Sequence, residues 1–438
     1  MSQVTDMADV LAGGILSVEL TSGITDITAE RVAQSPGGGI TVLATMHGLP
    51  LGQVVVRPGA DGMSAVDLAD TLWTQLPEVA EHLQRDGIEL PSSLDPRGAG
   101  ATEEPRCLEH RRRVLANPPS FTVLIATRDR TDSLLRCLAS VAMLDYPLFD
   151  VVVVDSAPET DTTRSAIEAM NGRLGEIPLH YVYEPRPGLA LAHNSGMSAV
   201  TGEWVAITDD DVIVDHQWLA ALAEGTTRDP NVACVTGLIM PAELLTPAQL
   251  LLEQYGGFSR GFTPRLFDQG DHRPDDPLFP LTAGRFGSGA NMAFRVDALR
   301  SEEPFDPVLG AGTLARGGDD LAAFLRVIRD GYALAYEPGA ILWHHHRREY
   351  TGLQRQARNY GTGLGAYLTD AVIHDPRMGW LLIRHGVAAI AHMVSKSSAK
   401  NANKRDGFPR ELERAERFGV LLGPLAYVRS RLHARRQR

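Results

Sequence analysis

The stretch FTVLIATRDRTDSLLRCLASVAMLDYPLFDVVVVDS (Phe121–Ser156) sets two apolar runs on either side of an amphipathic one. FTVLIAT and FDVVVVDS have no polar face, so each predicts a strand buried on both sides, and Asp132 to Met143 predicts the helix between them. LHYVYE (Leu179–Glu184) predicts a third strand and EWVAITDDD a fourth. Strands of this kind, spaced by helices, predict an α/β domain with a Rossmann-like, doubly wound and mostly parallel sheet. Ligands of such sheets bind beyond the carboxyl ends of the strands. Those are the ends at which this chain places its acids.

Asp155 closes the second strand, and Asp209, Asp210 and Asp211 close the fourth. A single Asp after a strand is equally at home as a turn or cap residue. Three in a row repel one another unless a cation or a proton relieves them. A hard divalent ion, Mg²⁺ or Mn²⁺, suits oxygen ligands and leaves coordination positions for substrate phosphates. Further on, GSGANMAFRVDAL (Gly287–Leu299) joins a Gly-rich loop to an apolar run, and the glycines after Val308 end in Asp319 and Asp320 at the start of an amphipathic helix. An Asp there is either a plain helix-start residue or a base within reach of an attacking hydroxyl. AILWHHHRR (Ala340–Arg348) is an apolar strand ending in three imidazoles and two guanidiniums, a mixture suited to a metal beside a diphosphate. In an extended chain His344 and His346 share a face and His345 opposes them.

Taken in order, IATRDR, VVVVDS, EPRPGLALAHNSGMSAVTGEWVAITDDDV, GSGANMAFR, GGDDL and ILWHHHRR resemble the inverting family-2 glycosyltransferases of GT-A fold, over about residues 118 to 365. The resemblance implies a nucleotide-diphosphate sugar donor, a glycan or lipid-linked acceptor and a divalent cation, Mn²⁺ or Mg²⁺. It implies work in cell-surface glycan, polysaccharide or glycolipid synthesis. Carried over by position, Thr127, Arg128 and Asp155 line the nucleoside pocket, with Arg186, Asn194, Asp209, Asp210, Arg347 and Arg348 also on the donor side. Asp211, Asp209 and His344 hold the metal, Asp320 is the base, and Asp319 and Asn291 face the acceptor. Asp319 stands where the family usually has Glu, which moves any acceptor contact by roughly 1.5 Å. His193 stands where the family often has Arg, which makes donor binding more sensitive to pH. A non-catalytic scaffold that binds sugar nucleotide or glycan is the alternative. A nucleotidyltransferase would need a basic Gly-rich loop after the first strand, and IATRDRTDSLL has neither Gly nor Lys.

Outside this region the chain divides by composition: an α+β accessory module over 1–95, a linker over 96–118, the transferase domain over 119–365 and a helical basic extension over 366–438. ITVLATMHGLPLGQVVV (Ile40–Val56) predicts a hairpin around Gly48, Pro50 and Gly52, and Ala65 to Gln84 an amphipathic helix. The module shows no motif of chemistry. Three cysteines, Cys107, Cys137 and Cys234, are too few and too scattered for a disulfide framework or a C-x-x-C zinc site. The net charge of -12 is uneven: residues 1–100 carry thirteen acids against four arginines, and residues 396–438 twelve bases against four acids. The basic tail reads as a packing helix pair or as an amphipathic patch meeting anionic lipid. Nucleic acid is not an expected partner. The apolar run from Met378 to Val394 is interrupted by Arg384 and His385, and the first basic residue is Arg31, so the chain is expected in the cytoplasm, in contact with the inner membrane face at most.

Overall fold

A computed structural model describes residues 11–98, 105–299, 303–394 and 408–437. The centre of the linker and the segment holding Lys396, Lys400 and Lys404 lie outside these described residues.

The apolar runs become strands Phe121–Thr127, Phe149–Ser156, Ile177–Glu184 and Trp204–Asp209. Their two-residue period sends alternate side chains into two cores: Val123, Ile125, Val151 and Val153 to one face, Leu124, Val152 and Val154 to the other. All four strands run parallel, and Phe121–Thr127 lies between Phe149–Ser156 and Trp204–Asp209. Beyond Trp204–Asp209 the sheet turns mixed. Asn291–Arg295 pairs antiparallel to it, followed by Val232–Pro241, Ala333–His344 and the short Val212–Val214. The architecture is α/β, with a central sheet parallel in one half and mixed in the other, and helices at the C-terminal end.

The predicted hairpin forms from Ile40–Met46 and Leu49–Val56, with a tighter turn than expected. His47 and Gly48 are its two central residues, both at positive φ (55° and 73°), and Pro50 and Gly52 lie within the second strand. Ile15–Glu19 completes a three-stranded sheet. The predicted helix is two, Ala65–Gln75 and Pro77–Arg85, because Pro77 cannot continue the first but opens the second at its first position. Leu11, Ile15 and Leu43 of this module pack against Ile213, Leu238, Met240, Ile341 and Trp343 of the large sheet. The linker is not free either. Helix Glu109–Leu115 buries Arg111 against Glu224, 2.8 Å away, at the end of helix Trp218–Thr226.

The expected boundary at 365 falls inside one continuous helix, Tyr350–His374. Its small residues let helix Arg410–Gln437 cross at backbone contact: a Cβ on Gly361 would collide with the carbonyl of Glu416, and one on Gly365 with that of Val420. On its other side a Cβ on Gly363 would sit 2.9 Å from Cα of Gly317, in the loop leading to Asp319. No helix among the described residues is long and apolar enough to cross a membrane.

Candidate active site

Strand register sets the site. Thr127 lies opposite Asp155, and Asp209 opposite Ala126, so the ends of three parallel strands present their polar residues side by side. Two residues after Asp209 the chain re-enters the sheet as Val212–Val214, antiparallel to Ala333–His344, with Val212 opposite His344. That pairing puts His344 Nε2 3.4 Å from an oxygen of Asp211. Ligand atoms of Asp209, Asp211 and His344 all fall within 4.8 Å of one another.

The imidazole is held from behind. His344 Nδ1 is 3.1 Å from His346 Nδ1, and His346 Nε2 is 2.9 Å from Glu253. With both rings neutral, one assignment gives the Glu253 carboxylate a donor: His346 donates to Glu253 and accepts from His344, which leaves the Nε2 lone pair of His344 facing Asp211. Two acceptors then face each other, an arrangement that a cation relieves. Burial pushes His344 down to about 4, so the ring is neutral and its lone pair available.

The acids show the strain of proximity. Burial first, then the charges of Asp211 and Asp210, push Asp209 up to about 8. Burial would raise Asp211 as well, but His344 and Arg130 outweigh it and hold that carboxyl below its ordinary value. Once His344 is neutral, Arg130 is the counter-charge: its guanidinium bridges Asp210 and, at 2.9 Å, Asp211. Arg347 adds a favourable charge to Asp211.

Asp319 and Asp320 open helix Asp319–Arg329, whose cap, Gly318, is left-handed at φ 92°. Asp320 accepts from Gly289 N–H at 3.0 Å and from Leu321 N–H at 2.9 Å. Burial raises its pKa, and those two N–H groups and the Arg260 charge oppose the rise. Asp319 is buried and pushed up to about 7 by burial and by Asp320, and its charge is felt at Asp209. The two acid groups therefore lie within electrostatic reach of each other. The donor set, oxygen-rich with one imidazole, fits a divalent cation.

Several expected contacts are otherwise engaged. Asn291 is fully buried, accepts from Trp218 Nε1 (2.9 Å) and donates to the carbonyls of Leu238 (3.0 Å) and Ala340 (2.8 Å); it ties strands together and does not face an acceptor. Asn194 spends both ends of its amide on the backbone of Phe305, at 2.7 and 2.9 Å. Asp210, buried, accepts from Thr127 Oγ1 at 2.6 Å and from Arg130, so it braces the turn and is not open to a donor. Arg186 forks onto Glu184, and Arg348 onto Glu243 with both bonds at 2.7 Å. Asp155 is fully buried and accepts from Tyr181 at 3.0 Å, its second oxygen unpartnered. Arg128 is half-exposed between Asp129 and Glu159. His193 is buried edge-on against Phe305 with neither nitrogen partnered, so it does not touch a donor pocket. The residues missed by sequence reasoning are Arg130, Glu253 and Arg260. Arg130 alone carried a signal, as the second Arg of the quoted TRDR.

Residues 122–300 match the family described as Glycosyl transferase family 2. The pre-mycofactocin glycosyltransferase of Mycobacterium tuberculosis is 26% identical over 338 residues, covering 76% of this chain and 64% of that protein. This chain thus spans just under two thirds of the length of that relative. The succinoglycan biosynthesis protein ExoM of Rhizobium meliloti is 26% identical over 282 residues, 62% of this chain and 82% of its own. Among solved structures, the mannosyltransferase PcManGT of Pyrobaculum calidifontis, in complex with GDP-Man and Mn²⁺, is 21% identical, with 74% of this chain and 93% of that one covered at a TM-score of 0.43. The segment that carries the acid triplet is thus the part of this chain that is similar to glycosyl transferase family 2.

Proposed function

We propose that the protein moves a sugar from a nucleotide-diphosphate donor to an acceptor hydroxyl with inversion at the anomeric carbon. The convergence of Asp209, Asp211 and His344 on one point, with the charge of Asp319 felt at Asp209, carries this reading. Asp209, Asp211 and His344 would hold Mn²⁺ or Mg²⁺, which when bound neutralises charge developing on the leaving diphosphate. The charge of Arg347 is felt favourably at Asp211 and would add a fixed positive charge on the diphosphate side. Asp320 takes the proton from the acceptor hydroxyl as that oxygen attacks. Burial raises its pKa, which makes the carboxylate a stronger base, and the Gly289 and Leu321 N–H groups fix its orientation. Asp319, beside it, is the acceptor-side carboxyl. Thr127 acts through Asp210, bracing the triplet rather than touching nucleoside.

The test is a thermal-shift panel of nucleotide sugars with Mn²⁺ or Mg²⁺, followed by transfer assays. Asp320→Asn should keep the donor-induced shift and lose transfer by at least ~100-fold, whereas Asp211→Asn should lose both. Near wild-type transfer by Asp320→Asn would remove the base assignment, and a donor shift with no hydrolysis or transfer under any condition would favour the scaffold.

The C-terminal helices add a surface. Helix Arg410–Gln437 leaves Phe418, Leu421, Leu425, Val428 and Leu432 exposed in one stripe, and Trp380 and Ile383 are exposed on helix Pro376–Val394. Arg429, Arg431, Arg435 and Arg436 lie in the same part of the chain. An apolar stripe flanked by arginines supports peripheral attachment to anionic lipid, and with it a lipid-linked acceptor. Co-sedimentation with phosphatidylserine vesicles, reduced by high salt and by Leu421→Asp, checks this.

A further inference from the structure

The accessory module, silent in sequence, gathers four metal-ligating side chains from three separate places. His47 sits in the hairpin turn, where Glu19 accepts from its N–H at 2.9 Å and from the Gly48 N–H at 3.0 Å. His82 lies on helix Pro77–Arg85 and Asp86 caps that helix one turn later. Cys107 belongs to the short 3-10 turn Arg106–Leu108 on the way to the large domain. Cys107 Sγ is 3.2 Å from His47 Nδ1 and 3.0 Å from Asp86 Oδ2. The same Asp86 oxygen is 3.6 Å from His47 Nδ1 and 3.5 Å from His82 Nε2. All four ligating atoms fall within 4.8 Å of one another.

Bonds of about 2.0–2.3 Å to zinc at tetrahedral angles put ligand atoms ~3.3–3.6 Å apart, close to the spacings found. The second oxygen of Asp86 accepts the Cys107 N–H at 2.7 Å, so the carboxylate is already oriented with Oδ2 turned inward. His82 is 3% exposed, and its Nε2, aimed at the cluster, has no hydrogen-bond partner. An orphaned buried imidazole nitrogen is costly in a native structure unless something binds it.

We propose that His47, His82, Asp86 and Cys107 form a closed four-ligand site for Zn²⁺ that fastens the segment entering the transferase domain to the accessory module. One thiolate and one carboxylate balance the charge of the ion, and two neutral imidazoles complete it, so the buried centre carries no net charge. The thiol proton goes to solvent on binding. Thiolate and imidazole select zinc over Mg²⁺ and Mn²⁺, which prefer all-oxygen sites, so this centre and the catalytic one take different ions. Four protein ligands leave no position for a substrate, which makes the site structural.

The test uses the full-length protein, stripped with chelator and titrated with Co²⁺. A thiolate-to-cobalt charge-transfer band should rise to about one equivalent, with the visible bands of a tetrahedral ion, and Zn²⁺ should bleach it. Asp211→Asn should leave the band in place, and Cys107→Ser should abolish it. Elemental analysis should find about one zinc per chain in the wild type and in Asp211→Asn, and none in His82→Ala. A wild-type chain that shows no thiolate band at saturating Co²⁺, or a band that survives Cys107→Ser, overturns the proposal. The wild-type spectrum decides even if a variant fails to fold.

Discussion

His344 Nε2 lies 3.4 Å from Asp211 because Val212, the next residue, pairs with His344 across two antiparallel strands. The spacing of these candidate ligands is thus a consequence of sheet register, and a one-residue slip would turn the imidazole to the other face. What register does not fix is the ring's tautomer. That is left to His346 and Glu253.

Glu253→Ala should therefore weaken the metal site without touching the metal. The Mn²⁺ concentration for half-maximal transfer should rise about 10- to 100-fold, with little change in donor KM at saturating metal. A metal titration of initial rates reads this directly.

Arg130→Leu removes the cation that now bridges Asp210 and Asp211. The guanidinium is 36% exposed, so the loss in the metal-free protein should be about 1–3 kcal/mol, less than for a fully buried pair. Added Mn²⁺ should recover part of it, because the ion supplies the missing charge. Melting curves with and without metal would show the gap narrowing.

Asn291→Ala should cost about 2–4 kcal/mol of stability, since it strips the Trp218 indole and the carbonyls of Leu238 and Ala340 of a buried partner. Acceptor KM should not move in the fraction that remains folded. A raised KM with unchanged stability would return Asn291 to the acceptor site.

His193, buried without a polar partner, has its pKa pushed down to about 4 by burial. Above about pH 6.5 it is neutral both folded and unfolded and has no effect. As pH falls below that, the unfolded chain takes up a proton that the folded chain refuses. Stability should drop by up to about 3 kcal/mol by pH 4 from this group. Urea unfolding at pH 7.5 and 5 should show a shallower acid loss for His193→Leu than for the wild type.

The half of the sheet that carries Asp155 and the triplet was legible because strands buried on both faces announce themselves, and their acids follow directly in sequence. His344 stands out in sequence for the same reason, at the end of an apolar strand, and Asp320 as one of two acids opening an amphipathic helix. Asn291 was not, since an Asn in GSGANMAFR reads alike whether it faces a cleft or a core, and only the pairing of Thr208 with Asn291 shows which. Arg130 was hidden because its partners lie some eighty residues away. In the His47, His82, Asp86 and Cys107 quartet only His82 and Asp86 stand one helical turn apart; folding brings the other two to them. The single long amphipathic pattern after Ala65 concealed a break because Pro77 keeps the apolar period while ending the hydrogen bonds.

Helix Tyr350–His374 is wedged between Arg410–Gln437 on one side and Gly317, two residues before Asp319, on the other, with glycine at each contact. Such a wedge has no slack. A side chain added at Gly361, Gly363 or Gly365 must therefore move one neighbour or the other, and where it moves the loop before Asp319 the mutation should read in an assay as a defect of turnover.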